Sequence, residues 1–126
     1  MENQGVERRE FRRIFFPKED NILALITFSG IQKEPVEAGV MSLSEEGICL
    51  IYKKNDAIKI SKKDVLILTQ LKGLTPELFQ EEFKIEVRWI MSEAFFDHDQ
   101  IGCKIINVSE SYREQIRQID SPGVII

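Results

Sequence analysis

At 126 residues, with 43% hydrophobic and 30% charged residues, the chain has the balance of an ordinary soluble globular domain and is too short to expect two cores. Its net charge of −4 excludes a broad positive field of the kind that coats nucleic acid, but leaves room for a small, focused anion site. Cys49 and Cys103 each stand without a CxxC partner, which gives no zinc signature and no disulfide framework and favours reduced, cytoplasmic surroundings. No apolar run approaches the ~20 residues of a membrane helix, and the N-terminus lacks the apolar core of a signal peptide.

Near its start the chain carries "VERREFRRIFF", where Arg8, Arg9, Arg12 and Arg13 are four of the seven arginines in the sequence. A guanidinium fork matches phosphate oxygens or the O6 and N7 pair of guanine, so such a cluster suits an anionic or guanine-bearing ligand. Arg9 and Arg13 fall on one face of an extended segment, roughly 13 Å apart. Phe11, Phe15 and Phe16 supply apolar anchors for it. On composition alone a solvated, charged arm is the favoured reading of these residues.

From Asn21 the pattern turns strand-like. "NILALITFSG" ends on a turn signal, and "VEAGVMSL" is separated from "GICLIYKK" by the polar "SEE". Ser42 and Ser44 are two apart, so both hydroxyls point the same way, and Gly47 permits a tight turn. "YKKNDAIKISKK" reads as a solvated hairpin turning at Asn55-Asp56. "DVLILTQL" is uniformly apolar and reads either as a strand covered on both faces or as a short buried helix.

In "KIEVRWIM", Ile85, Val87, Trp89 and Met91 alternate with Lys84, Glu86 and Arg88. This period places Trp89 in the core rather than on a stacking platform and turns Arg88 away from it, as a surface charge in preference to a ligand contact. "DHD", Asp97 to Asp99, has metal-ligand residue types, but neighbouring strand residues face apart and no second cluster is present, so a polar loop is expected. "GCKIINV" is a weaker strand. "SESYREQIRQI" changes to helical period, with Tyr112, Ile116 and Ile119 on one face. Ser109 or Ser111 can serve as N-cap, Ser111 and Glu114 have capping-box spacing, and Pro122-Gly123 stops the helix. The closing "GVII" is too short to interpret.

Two of these stretches, in order, resemble a known family. "ERREFRRI" resembles the RxxxR arm of PilZ domains, with Arg9 and Arg13 at the two arginine positions and Arg8 just before. "SLSEEG", about thirty residues on, resembles the family's [DN]xSxxG turn, with Ser44 and Gly47 at its serine and glycine. The resemblance runs from about Glu7 to Ile119. It implies a mainly β fold, a small six-stranded antiparallel barrel with a C-terminal α-helix. Residues 1–126 would form one domain: an arginine-rich, flexible arm at 7–16, a barrel at 21–108 and a helix at 109–120.

The resemblance also implies binding of the bacterial second messenger cyclic di-GMP, with Arg8, Arg9 and Arg13 gripping guanine and phosphate and with Ser42, Ser44 and Gly47 on the other side of the ligand. Ser42 departs from the family's Asp or Asn, which removes an acceptor for a guanine edge; Glu45 or Glu46 are candidates to replace it. No enzyme is expected, nor any cofactor. The implied protein is a cytoplasmic receptor that couples the nucleotide to an unidentified downstream protein, without membrane insertion. The alternative is a PilZ-like adaptor that binds no nucleotide and acts through protein contacts. A barrel for single-stranded nucleic acid is disfavoured by the acidic balance.

Overall fold

The computed structural model describes residues 13–17, 21–28, 34–54, 59–73 and 82–119. Arg8, Arg9, Arg12, Phe11, Asn55-Asp56 and the chain beyond Ile119 lie outside the described residues. Seven strands succeed one another: β1 (Ile14–Phe15), β2 (Leu23–Phe28), β3 (Val36–Leu43), β4 (Gly47–Lys53), β5 (Val65–Lys72), β6 (Phe83–Ser92) and β7 (His98–Ile106). A helix, α1 (Glu110–Ile119), closes the described chain.

All pairings are antiparallel, in the order β1-β3-β2-β5-β6-β7-β4, and β4 returns to pair with β3. β2 to β7 thus close a six-stranded barrel, which removes the open edges that a flat sheet would present. β1 is the extra strand. β2 covers one edge of β3 from Val36 to Gly39, and β1 takes the same edge at Ser42 and Leu43, with Phe15 opposite Ser42. The Phe16 amide donates to the Met41 carbonyl and fixes the junction.

Inside the barrel, period-two alternation does what the sequence suggests. Ala24 and Ile26 of β2, Leu50 of β4, Leu66 and Leu68 of β5, Ile85 and Val87 of β6 and Ile101 of β7 are all buried. "DVLILTQL" is therefore a strand. Its alternation breaks at Thr69, where the register against β2 shifts, and the Thr69 hydroxyl donates to the Leu25 carbonyl at 3.2 Å.

The turn of the expected lysine-rich hairpin lies outside the described residues, and the strands on either side of it do not pair with each other. β4 pairs with β3 and β7, and β5 with β2 and β6, so the two strands flanking that segment are not neighbours. Both edges of β4 are taken, one by β3 across the short turn and the other by β7, whose pairing closes the barrel, so no edge is left for β5.

Ser109, and not Ser111, caps α1: its hydroxyl accepts from the Tyr112 amide at 3.1 Å. Tyr112 and Ile116 face the core, and the Tyr112 ring meets Phe83 edge-on at 5.1 Å between centroids. Tyr112 also donates its phenol to the Ser44 carbonyl at 2.8 Å, which ties α1 to the β3–β4 turn. Among the described residues no helix is long and apolar enough to cross a membrane.

Burial gives the core a pH signature. It pushes the Cys103 thiol up from 9.0 to about 12 and, with the Asp99 carboxylate nearby, the Tyr52 phenol up from 10.0 to about 12; Tyr112 is raised too, chiefly by burial. Each group stays neutral in the folded state above the pH at which the unfolded chain releases its proton. The contribution of Cys103 and Tyr52 is fully present below about pH 9 and is lost as pH rises through about 12. Melting temperatures followed by circular dichroism are expected to fall steadily above about pH 9, and a flat profile to about pH 11 would contradict this account.

Candidate functional site

Two bulges shape the outer wall of the barrel. In β3 the register against β4 slips between Val40 and Ser42, so Leu43 pairs with Ile48 in the core while Ser42 pairs with Cys49 on the outer face. In β6 the register against β7 slips between Val87 and Trp89. Before the slip, Val87 faces inward opposite Cys103; after it, Ile90 lies opposite the buried Ile101 and Trp89 lies opposite Gly102. One inserted residue reverses the facing of every residue after it in the strand.

The expected core position of Trp89 is therefore corrected, and with it the expected separation of Arg88 from Trp89. Trp89 is 42% exposed, and both side chains line the same groove. Met91, on the same alternating pattern, is exposed as well. The turn at Ser61–Asp64 braces the distortion from behind: Lys63 N–H donates to the Val87 carbonyl, and Val87 N–H donates to the Asp64 carbonyl.

The groove has a volume of about 940 Å³, within the usual range for a small-molecule site. Arg13, Ser42, Ser44 and Gly47 from the sequence motifs all line it, brought there by β1, β3, β4 and the residues that flank them. Arg88, Trp89 and Lys104 complete it from β6 and β7. Arg13, Arg88 and Lys104 bring three cations to a chain that is acidic as a whole.

Arg13 reaches across from the start of β1 and donates from Nη1 to the Ser42 hydroxyl at 3.0 Å. Ser42 is 3% exposed, so this guanidinium covers it. The Ser44 hydroxyl works on its own turn, accepting from the Gly47 amide at 3.1 Å and the Glu46 amide at 3.3 Å. A Cβ at Gly47 would stand 3.2 Å from the Cys103 carbonyl and 3.4 Å from Arg13 Nη2. Glycine thus leaves room for the guanidinium to lie close over the turn. Cys49 sits beneath it, its thiol pushed up by burial and partly offset by Arg13.

The turn is clamped from the helix side. Arg113 donates to Glu45 at 3.1 Å and to Glu46 at 3.4 Å, and Arg117 donates from Nε to Glu45 at 3.2 Å. Glu45 accepts from both arginines and its side chain is largely covered, whereas Glu46 lines the groove. Arg88 pairs with Glu86 at 3.1 Å in an exposed contact worth roughly 0–1 kcal/mol and easily exchanged for a ligand. His98 and Asp99 of "DHD" begin β7 away from the groove, and among the described residues no group of three His, Cys, Asp or Glu is placed to hold a metal.

The sequence favours a core position for Trp89 and a surface charge for Arg88 because the bulge in β6 is hidden, and Lys104 stands in it as an isolated cation. The available signal was Gly102, since a glycine inside a strand marks the close approach of another group. A Cβ at Gly102 would lie 2.0 Å from Trp89 Nε1. Gly102→Ala is therefore expected to evict the indole from its seat. A shift of the indole N–H resonance in a heteronuclear NMR spectrum, with the core resonances unmoved, is the measurement that checks this.

No protein-family model matches the sequence, and no curated protein matches it either. Solved structures do. The chain is similar to the PilZ domain of YcgR from Escherichia coli with c-di-GMP, at 12% identity and a TM-score of 0.64, covering 89% of this chain and 88% of that one. It is similar to the MrkH–c-di-GMP complex of K. pneumonia at 17% identity and a TM-score of 0.63, covering 89% of this chain and 50% of that one. Borreliella burgdorferi PlzA in complex with c-di-GMP matches at 11% identity and a TM-score of 0.57, over 92% of this chain and 52% of that one. The chain spans about half the length of the last two. Likeness at such identities carries the architecture, and a closed six-stranded antiparallel barrel with one added strand and a C-terminal helix is what they share with this chain: its fold is the PilZ-type fold.

Proposed function

We propose that the chain is a noncovalent receptor for cyclic di-GMP that passes the signal to a partner protein. The observation that carries this reading is the convergence of Arg13, Arg88 and Lys104 with the Trp89 indole on one outer groove of a PilZ-type barrel. Guanidinium and ammonium groups address the phosphodiesters, an arginine fork fits O6 and N7 of guanine, and an indole face accepts a stacked base. Arg8 and Arg9 join the site from the preceding segment in this reading, and Ser42, Ser44 and Gly47 form its floor.

Binding exchanges the Arg13–Ser42 hydrogen bond for contacts to the ligand. Because the floor is tied to α1 through Tyr112 and Arg113, an occupied groove and an empty one present different surfaces to a partner. Isothermal titration with cyclic di-GMP, beside an Arg9→Ala, Arg13→Ala double variant and GTP as competitor, tests the reading. Saturable binding that the double variant loses and GTP does not reproduce is the expected result. Absence of binding to folded protein by two methods would overturn it and leave the adaptor, which works through protein contacts alone.

A further inference from the structure

Among the described residues lining the groove there is one carboxylate, Glu46. Its ion pair with Arg113 uses one oxygen at 3.4 Å, and the carboxylate still faces a groove whose three cations suit phosphodiesters, where it can address only a part of the ligand that donates hydrogen bonds. Guanine has such a part. Its Watson–Crick edge presents N1–H and the 2-amino group side by side, two donors matched to one carboxylate, whereas adenine presents an acceptor at N1 and no amino group at C2. Ser42 offers no equivalent, because a single short hydroxyl lacks the paired oxygens that match two adjacent donors.

Glu46 is built for the task. Its amide donates to the Ser44 hydroxyl at 3.3 Å and its carbonyl accepts from the Ile105 amide at 2.8 Å, so its main chain is held on both sides. Arg113 Nη2 lies 3.4 Å from Oε2 and orients the carboxylate. The side chain remains 43% exposed, in contrast to Glu45 at 14%, so an incoming base can reach it. We propose that Glu46 reads the Watson–Crick edge of a guanine in the groove and sets the preference for guanine over other purines. This rests on the nucleotide-receptor reading above. An arginine on O6 and N7 and a carboxylate on N1–H and N2–H together would hold the base by both edges.

The test is titration of the full chain with cyclic di-GMP, with its inosine analogue, which lacks the 2-amino groups, and with cyclic di-AMP. Wild type is expected to prefer guanine over inosine by about tenfold or more. Glu46→Ala is expected to weaken cyclic di-GMP by about tenfold to a hundredfold and to bring the guanine-to-inosine ratio close to one. Glu46→Gln, which keeps the shape and one acceptor, should fall between. Matching melting temperatures show that the variants fold, and the ratio in wild type alone remains informative if Glu46→Ala does not.

The sign separates this role from a bystander charge. Removing a merely repulsive carboxylate would tighten binding of an anionic ligand, so tighter or unchanged binding by Glu46→Ala, with the guanine preference intact, overturns the proposal. Wild type that binds cyclic di-GMP and its inosine analogue equally also overturns it while leaving the receptor reading in place. Wild type that binds none of the three defeats the receptor reading, and this inference with it.

Discussion

Arg13→Ala is expected to weaken cyclic di-GMP binding by about a hundredfold while shifting the melting temperature by no more than a few degrees. The asymmetry comes from where the residue stands. Its guanidinium is on the outside of the barrel, with one hydrogen bond to Ser42 in the structure. Losing it frees the Ser42 hydroxyl to solvent and costs the fold little. In the proposed complex the same fork makes charge-assisted, paired bonds, each worth roughly 1.5–3 kcal/mol. Arg13→Lys keeps the charge but not the planar fork, so a loss near tenfold is expected. Titration of both variants checks the order, and wild-type affinity in Arg13→Ala would remove this residue from the site.

The largest effect on stability is expected from Tyr112→Ala, at about 3–5 kcal/mol, measured by chemical denaturation. The side chain is buried, packs edge-on against Phe83 and donates to the Ser44 carbonyl. Tyr112→Phe keeps the ring and removes that donor from a buried carbonyl, for an expected loss of about 1–3 kcal/mol. The difference between the two variants divides packing from the polar tie. If Tyr112→Phe is as stable as wild type, the phenol does not hold the turn. Nucleotide affinity should also fall in Tyr112→Phe, because Ser44 and Gly47 lose the brace that fixes the groove floor.

Much of this fold is legible because alternation reports one buried face. "KIEV", "GICLI" and "VEAGV" state their strands directly, and the change to helical period at Tyr112 and Ile116 marks α1. The failures occur where a partner strand, not the local sequence, decides. Trp89 reads as core until Gly102 is known to lie opposite it, since only that pairing shows that the strand has slipped by one residue. The lysine-rich segment reads as a hairpin until barrel closure sends β4 to β7 and β5 to β2. β1 has two residues, too few to show any period.

The site divides along the same line. Arg13, Ser42, Ser44 and Gly47 carry a spacing that the sequence displays, and the structure brings all four to one groove. Arg88 and Lys104 are isolated cations in the sequence and become neighbours of the motif only through the β6–β7–β4 pairing. Glu45 and Glu46 are adjacent acidic residues that the sequence alone does not distinguish. Arg113 contacts both, but Arg117 adds a second arginine to Glu45 alone, and Glu45 is the more deeply covered while Glu46 stays partly exposed at the rim.

The chain contains a single tryptophan, and the β6 bulge has moved it from the core to the wall of the groove. Its emission is therefore a local signal. While the barrel stays folded, the indole reports on the outer wall and not on the interior. In the proposed complex a base stacked on Trp89 quenches or shifts that emission without unfolding the core, which makes the indole a label-free optical reporter of the groove.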